Sequence, residues 1–254
     1  MDHRPIGVFD SGIGGISLLR NMRALLPGET FIYYGDEKNA PYGTKTEAEI
    51  LELSRKDVDF LLRFDVKAIV IACNTATSAA AKTLRSEMNI PIIGIEPALK
   101  PAALDRQDGD IAVLATPATL RQSKFQNLLA IYGEGAINVP CPGLMEFVER
   151  GITEGEELDT YLNELLAPIR AHRLDGAVLG CTHYSFLAGA IGKALPGVKL
   201  YDGNAGTARQ LKRVLTEKEL LSSNQIGKVE FYTSGNPLTT LPLMKKLLNT
   251  EIVL

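Results

Sequence analysis

Cysteine is scarce in this chain, with three in 254 residues. So small and odd a number excludes the disulfide framework that holds small secreted domains together. No CxxC pair is present. "CTH" at Cys181–His183 stands alone, with His3 and His172 in unrelated contexts, so no metal site is assigned. Neither charge sign dominates: 27 Lys and Arg against 30 Asp and Glu leave a net charge of −3. Without a basic stripe, nucleic acid is not an expected partner. No apolar run approaches the roughly 18 residues of a membrane helix, so no membrane partner is expected. "MDHRPIGVFD" lacks the apolar core of a secretory signal. A soluble, cytoplasmic protein is expected.

What is present is an alternation. Short apolar runs at Ile6–Phe9, Thr30–Tyr34, Ala68–Ala72, Pro91–Ile95, Asp110–Ala115, Ala136–Val139, Gly176–Gly180, Val198–Tyr201 and Val229–Tyr232 read as strands. Helical patterns lie between them. "TEAEILELSRKDVDFLLRF" opens with Thr46 and Glu49 at capping-box spacing and puts Ile50, Leu53, Phe60 and Leu61 near one face. Thr116-Pro117 reads as a helix cap with Pro in the first turn. The fold class is therefore α/β with mainly parallel strands. The chain also echoes itself: "IGVFDSGIGGISLL" resembles "IAVLATPATLRQS" from Ile111, each a strand, a polar turn and a helix. Two similar halves are expected, with boundaries at residues 1–97 plus 207–254 and at 98–206. "DGNAG" at Asp202–Gly206 is the return crossing, and the last strand and helix pack back on the first half.

The cysteines follow the same echo. "IVIACNTATS" and "AVLGCTHYSF" each run an apolar strand into a small residue, a cysteine and hydrogen-bonding side chains. A buried cysteine is ordinarily core filler, and Cys141 before Pro142 reads that way. Cys73 and Cys181 instead stand at the carboxyl ends of parallel strands, where ligands bind. A helix start there offers free N–H groups that favour anions and thiolates. A cysteine phosphatase is excluded, because its C-x5-R loop would need Arg where Ala79 and Leu187 stand. A Cys–His hydrolase at Cys181 and His183 would leave Cys73 unexplained. "DSGIGG" with Asp36 leaves a nucleotide-binding alternative open, although Ser17 occupies the place of the last fingerprint glycine.

Taken together, "GVFDSGIGG", "YYGDEKNAPYG", "IACNTATS", "ATPAT", "CPGLMEFVE" and "GCTHY", in this order, resemble the glutamate racemase family over essentially the whole chain. The resemblance implies two α/β domains related by a pseudo-twofold, with the active site between them. It implies Cys73 and Cys181 as the two acid/base catalysts, assisted by Asp10, Glu149 and His183. Around the substrate it places Asp10, Ser11, Pro41, Tyr42, Gly43, Asn74, Thr75, Thr182 and His183, with Thr116 and Thr119 beside them. No cofactor, a small-molecule substrate (L- or D-glutamate), a homodimer and a role in supplying D-glutamate for peptidoglycan follow from the same likeness. An aspartate or other amino-acid racemase on this scaffold is the alternative. Two positions depart from the family pattern: Ser185 replaces the usual proline, and "GLMEF" offers Glu146 as a second acid near Glu149.

Such chemistry suits a mirrored pair. Racemisation removes the α-proton from one face and returns one to the other, so two opposed acid/base groups are needed, one as thiolate and one as thiol. Similar halves are a natural way to present them.

Overall fold

The nine apolar runs form nine strands: β1 Ile6–Asp10, β2 Phe31–Gly35, β3 Ala68–Ile71, β4 Ile92–Gly94, β5 Asp110–Ala115, β6 Ala136–Pro140, β7 Leu174–Leu179, β8 Lys199–Asp202 and β9 Val229–Thr233. Between them lie helices α1 Ile16–Leu25, α2 Glu47–Leu62, α3 Asn74–Glu87, α4 Leu99–Asp105, α5 Pro117–Arg121, α6 Ser123–Tyr132, α7 Leu144–Glu149, α8 Glu156–Leu166, α9 Ala188–Ala194 and α10 Asn204–Glu217, and α11 Pro237–Asn249 follows β9. The structure is a computed structural model and describes residues 1–252 and 254. Among the described residues no helix is long and apolar enough to cross a membrane.

All strand pairs are parallel, and they make two sheets, ordered β4-β3-β1-β2-β9 and β6-β5-β7-β8. Read from the other edge, the second sheet runs β8-β7-β5-β6. That is the order of β4-β3-β1-β2 with each strand replaced by its later counterpart, and β9 is the one addition. β1 and β3 are buried along their whole length, as strands covered by helices on both faces must be. The order also positions the site. The chain leaves β1 to one side for β2 and returns to the other side for β3. The crevice beyond β1 and β3 is therefore a topological switch point, where open α/β sheets bind ligands. The second sheet has the same switch beyond β5 and β7. Asp10 and Cys73 flank the first crevice; Thr116 and Cys181 flank the second.

Local chemistry sets the helix starts. The Thr46 side chain accepts from the Glu49 N–H, and the Glu49 carboxylate accepts from the Thr46 N–H, completing the capping box of α2. Thr116 caps α5 through the Thr119 N–H, with Pro117 in the first turn. Removing the cap hydroxyl leaves a helix-end N–H unsatisfied, so Thr46→Ala is expected to lower unfolding free energy by about 1 kcal/mol in a urea titration. An unchanged midpoint would show that the exposed box adds nothing.

The inward face of α2 differs from the expected one. Ile50 and Leu61 are buried as expected, but Leu53 and Phe60 are only half-buried, while Ser54, Asp57 and Val58 are buried. Phe60 instead stacks on Tyr34, 4.4 Å between ring centroids, in an aromatic cluster with Phe64 and Tyr232. An apolar-only reading missed this stripe because one of its members is an acid.

Candidate active site

Cys73 caps α3. Its Sγ accepts from the Ala76 N–H at 3.4 Å and lies 3.5 Å from Ser11 Oγ. Burial pushes its thiol up to about 12, and the charge of Asp10 adds to the rise. Cys73 therefore stands as a neutral thiol. A charge on Cys181 also disfavours one on Cys73, so the pair resists being thiolate together.

Cys181 is followed by the 3₁₀ segment Thr182–Leu187 rather than directly by an α-helix, which corrects the expected match with Cys73. The dipole of a regular helix is thus missing at the second sulfur. A side chain takes its place: His183 Nδ1 lies 3.5 Å from Cys181 Sγ, and His183 Nε2 lies 2.6 Å from Glu149 Oε1. The Glu149 carboxylate also accepts the Ile13 N–H at 3.0 Å. Burial opposes a charge on His183, yet its bonds to Cys181 and Glu149 outweigh that and hold its pKa well above the usual value. Those bonds favour the charged form of the imidazole beside the second sulfur. Glu146 is exposed, so Glu149 is the acid of α7 that meets His183.

The loop after β1 passes under this relay. A Cβ on Gly12 would overlap Glu149 Oε1, and one on Gly14 would lie 2.6 Å from Cγ and Cε1 of His183. Gly12 and Gly14 are therefore needed for close approach to the neighbouring half. Asp10 accepts the Gly12 N–H at 2.9 Å and the Thr182 hydroxyl at 3.1 Å. Burial pushes the Asp10 carboxyl up to about 6, against the opposing charge of His183.

The two halves are cross-braced by matching threonines. Thr182, after Cys181, reaches Asp10 of the first half. Thr75, two residues after Cys73, reaches Thr116 and Thr119 of the second half at 3.1 and 2.9 Å, and those two hydroxyls lie 3.0 Å apart. The structure thus brings together Asp10, Ser11, Cys73, Thr75, Thr116, Thr119, Glu149, Cys181, Thr182 and His183. Asn74 is buried, and its Oδ1 has no hydrogen-bond partner among the described residues. Pro41, Tyr42 and Gly43 form a turn whose Gly43 Cβ would lie 3.0 Å from Thr116 Cβ. The Tyr42 hydroxyl lies within hydrogen-bond distance of Asp36 and Asp57. Three participants carried no sequence signal. Ser17 Oγ donates to the Thr182 carbonyl at 3.0 Å, Gln122 Nε2 donates to the Thr75 carbonyl at 3.3 Å, and Glu37 is a half-buried acid pushed up to about 7 by burial. Among the described residues no three His, Cys, Asp or Glu side chains converge as metal ligands.

A family model described as Asp/Glu/Hydantoin racemase matches residues 6–211. The chain belongs to that family. It is 47% identical to a glutamate racemase of Clostridium kluyveri over 252 residues, covering 97% of this chain and 98% of that one. Among solved structures, it matches glutamate racemase from Thermus thermophilus in complex with beta-chloro-D-alanine. There the TM-score is 0.85 and the identity 36%, covering 100% of this chain and 96% of that one. It also matches Francisella tularensis glutamate racemase in complex with D-glutamate, with a TM-score of 0.85 and 32% identity, covering 100% and 98%.

In this racemase-family chain the ribose-binding alternative for Asp36 finds no support. Asp36 is buried, and its two oxygens are engaged by Asn39, Tyr42 and Ser234. The departure at Ser185 also has a local account. Its hydroxyl donates to Asp202 at 2.8 Å and accepts from Asn204, tying the segment after Cys181 to the return crossing. Cys141 is buried with its Sγ against the Val139 carbonyl, and its backbone carbonyl accepts from Tyr184.

Proposed function

We propose that this chain is a cofactor-independent glutamate racemase that interconverts L- and D-glutamate by a two-cysteine mechanism. The observation that carries this reading is the pair Cys73 and Cys181, at equivalent strand ends of two sheets of like order, each with its own polar assistants. Burial favours the neutral thiol at one sulfur, and at the other the bonds made by His183 favour the charged form of its ring. This is the asymmetric charge state that a proton transfer across Cα requires.

For L-glutamate, the Cys181 thiolate takes the α-proton and becomes a thiol. The electron pair left on Cα spreads into the α-carboxylate, and Cα then takes a proton from the Cys73 thiol on the opposite face. Cys73 ends as the thiolate, ready for the reverse reaction. Asp10 and Ser11 attend Cys73; His183 and Glu149 attend Cys181. Asn74, whose Oδ1 has no hydrogen-bond partner among the described residues, accepts from the substrate ammonium. The three hydroxyls of Thr75, Thr116 and Thr119 and the Pro41–Gly43 turn hold the carboxylate groups. Donors fixed where charge develops lower the barrier without reorganising. Cys73 and Cys181 are only 6% and 9% exposed, so substrate enters by parting of the halves and reacts in a water-poor site.

The units that part are assigned as residues 1–97 with 207–254, and 98–206. Supporting that division, every strand of the five-stranded sheet falls in the first set and every strand of the four-stranded sheet in the second. The family resemblance adds a cytoplasmic homodimer and a role in supplying D-glutamate for peptidoglycan. Light scattering checks the dimer. The function itself is tested by chiral analysis after incubation with L-glutamate and, separately, L-aspartate. Purified protein exhaustively dialysed against EDTA is expected to racemise glutamate and to leave aspartate essentially unchanged. Equal turnover of both, or activity restored only by added metal or pyridoxal phosphate, would overturn the reading.

A further inference from the structure

Tyr42 poses a problem of proton counting. Its hydroxyl oxygen lies 2.7 Å from Asp36 Oδ2 and 3.0 Å from Asp57 Oδ2, and it has one proton to give. Asp36 is well supplied with donors besides: Asn39 Nδ2 at 3.0 Å from each oxygen and Ser234 Oγ at 2.7 Å. It is built as an ionised acceptor. Asp57 is 2% exposed, and Tyr42 is its one hydrogen-bond partner among the described residues. An ionised Asp57 would press an unshielded carboxylate oxygen against the phenolic oxygen after its proton had gone to Asp36.

We propose that Asp57 is a positioning residue of this racemase: it keeps its own proton at neutral pH, donates it to the Tyr42 hydroxyl, and so fixes the Pro41–Gly43 turn against the substrate. The proposal rests on the functional reading above. The chain of donation runs Asp57 to Tyr42 to Asp36, with every oxygen satisfied. It pins the turn through Tyr42, next to Gly43, which is packed against Thr116.

The surroundings agree. The titratable groups that bear on Asp57 are Asp10 beyond β1, Tyr34 in β2, Asp36 and Glu37 after β2, and Tyr42 itself. All are acids or phenols. On α2, Arg55 is engaged with Glu52 and Glu87 and Lys56 is exposed; on α3, Lys82 is exposed and Arg85 bonds the Ile92 carbonyl. No cation among these compensates a charge on Asp57. Burial first, and the charge of Asp36 next, push the Asp57 carboxyl up to about 8.

The test compares wild type with Asp57→Asn, whose amide still donates to Tyr42, and Asp57→Leu, which cannot. In the wild type KM for glutamate is expected to rise as pH passes about 8, where Asp57 loses its proton. Asp57→Asn is expected to keep the neutral-pH KM and to flatten that rise. Asp57→Leu is expected to raise KM about tenfold at every pH, the effect of leaving a buried hydroxyl oxygen without a donor, with a smaller change in kcat. Carbon-13 NMR of aspartate-labelled protein reads the proton directly: the carboxyl signal lost in Asp57→Asn should titrate near 8. An Asp57 signal titrating in the ordinary aspartate range, or an Asn variant as impaired as the Leu variant, would overturn the proposal. A wild type that never racemises L-glutamate would instead reject the functional reading, and the NMR titration would still decide the state of Asp57.

Discussion

The Cys73→Ala enzyme is expected to exchange the α-proton of L-glutamate with solvent deuterium while racemising neither enantiomer. With Cys181 intact, a thiolate still reaches one face of Cα, and the proton it removes is replaced from solvent on that same face. The opposite face has lost its acid. Cys181→Ala should show the reverse, exchanging D-glutamate alone. Net racemisation should fall by at least about 10²-fold in both variants, the lower end of what a positioned proton-transfer group contributes. In D₂O, the wild type sampled early from L-glutamate should give D-glutamate carrying α-deuterium while the remaining L-glutamate stays protiated. Extensive return of protium to product would indicate one shared base. Near-wild-type racemisation by either variant would end the two-cysteine mechanism.

The unlike surroundings of the two sulfurs should also be visible, though not in kcat/KM. The equilibrium constant between enantiomers in water is unity, so kcat/KM must fall equally in the two directions whatever is mutated. One-sided damage is expected only in isotope exchange. Loss of the His183 ring should slow exchange of L-glutamate more than that of D-glutamate, because His183 and Glu149 serve Cys181.

The second large effect is expected from a residue with no side chain. Gly14→Ala would place a methyl carbon 2.6 Å from two ring carbons of His183. That ring is 1% exposed and bonded at both nitrogens, so it has nowhere to swing. The substitution should drive the imidazole off Cys181 and lower kcat about 10²-fold, as ångström-scale misplacement of a reacting group does. Circular dichroism and the melting temperature report whether the protein remains folded. Gly189→Ala in α9 is the matched control, since nothing lies within 4 Å of a Cβ built there, and it should leave kcat unchanged. A Gly14→Ala enzyme with full kcat would show that His183 does not need its present place.

Much of this architecture was legible because it follows from local pattern. All nine apolar runs became strands, and Thr46 and Thr116 became caps, since periodicity and capping act over a few residues. The repeated apolar-run–cysteine pattern also marked two equivalent strand ends. The hidden part depends on pairing across the fold. Nothing in "ISLLR" announces that Ser17 will hold the Thr182 carbonyl, and nothing in "RKDVDF" that Asp57, rather than Asp59, turns inward. The choice between Glu146 and Glu149 could not be made from local pattern, and only the family resemblance pointed to Glu149. A three-residue step along α7 separates an exposed acid from one bound to His183, and the helix's orientation is set by contacts made elsewhere.

The position of β9 has a consequence for biosynthesis. Its register runs from Phe31 with Val229 to Gly35 with Thr233, so the first sheet takes its final strand from far along the chain. The second sheet is drawn from one continuous stretch, Asp110 to Asp202. Translation therefore delivers every strand of the second sheet before it delivers β9. In that interval β2 is an edge, with a row of unpaired N–H and C=O groups open to any other strand nearby. A nascent chain stalled between Asp202 and Val229 holds all of one cysteine's sheet and an unguarded flank on the other's. Until β9 arrives, that open edge is a part of the first sheet on which misassembly can start.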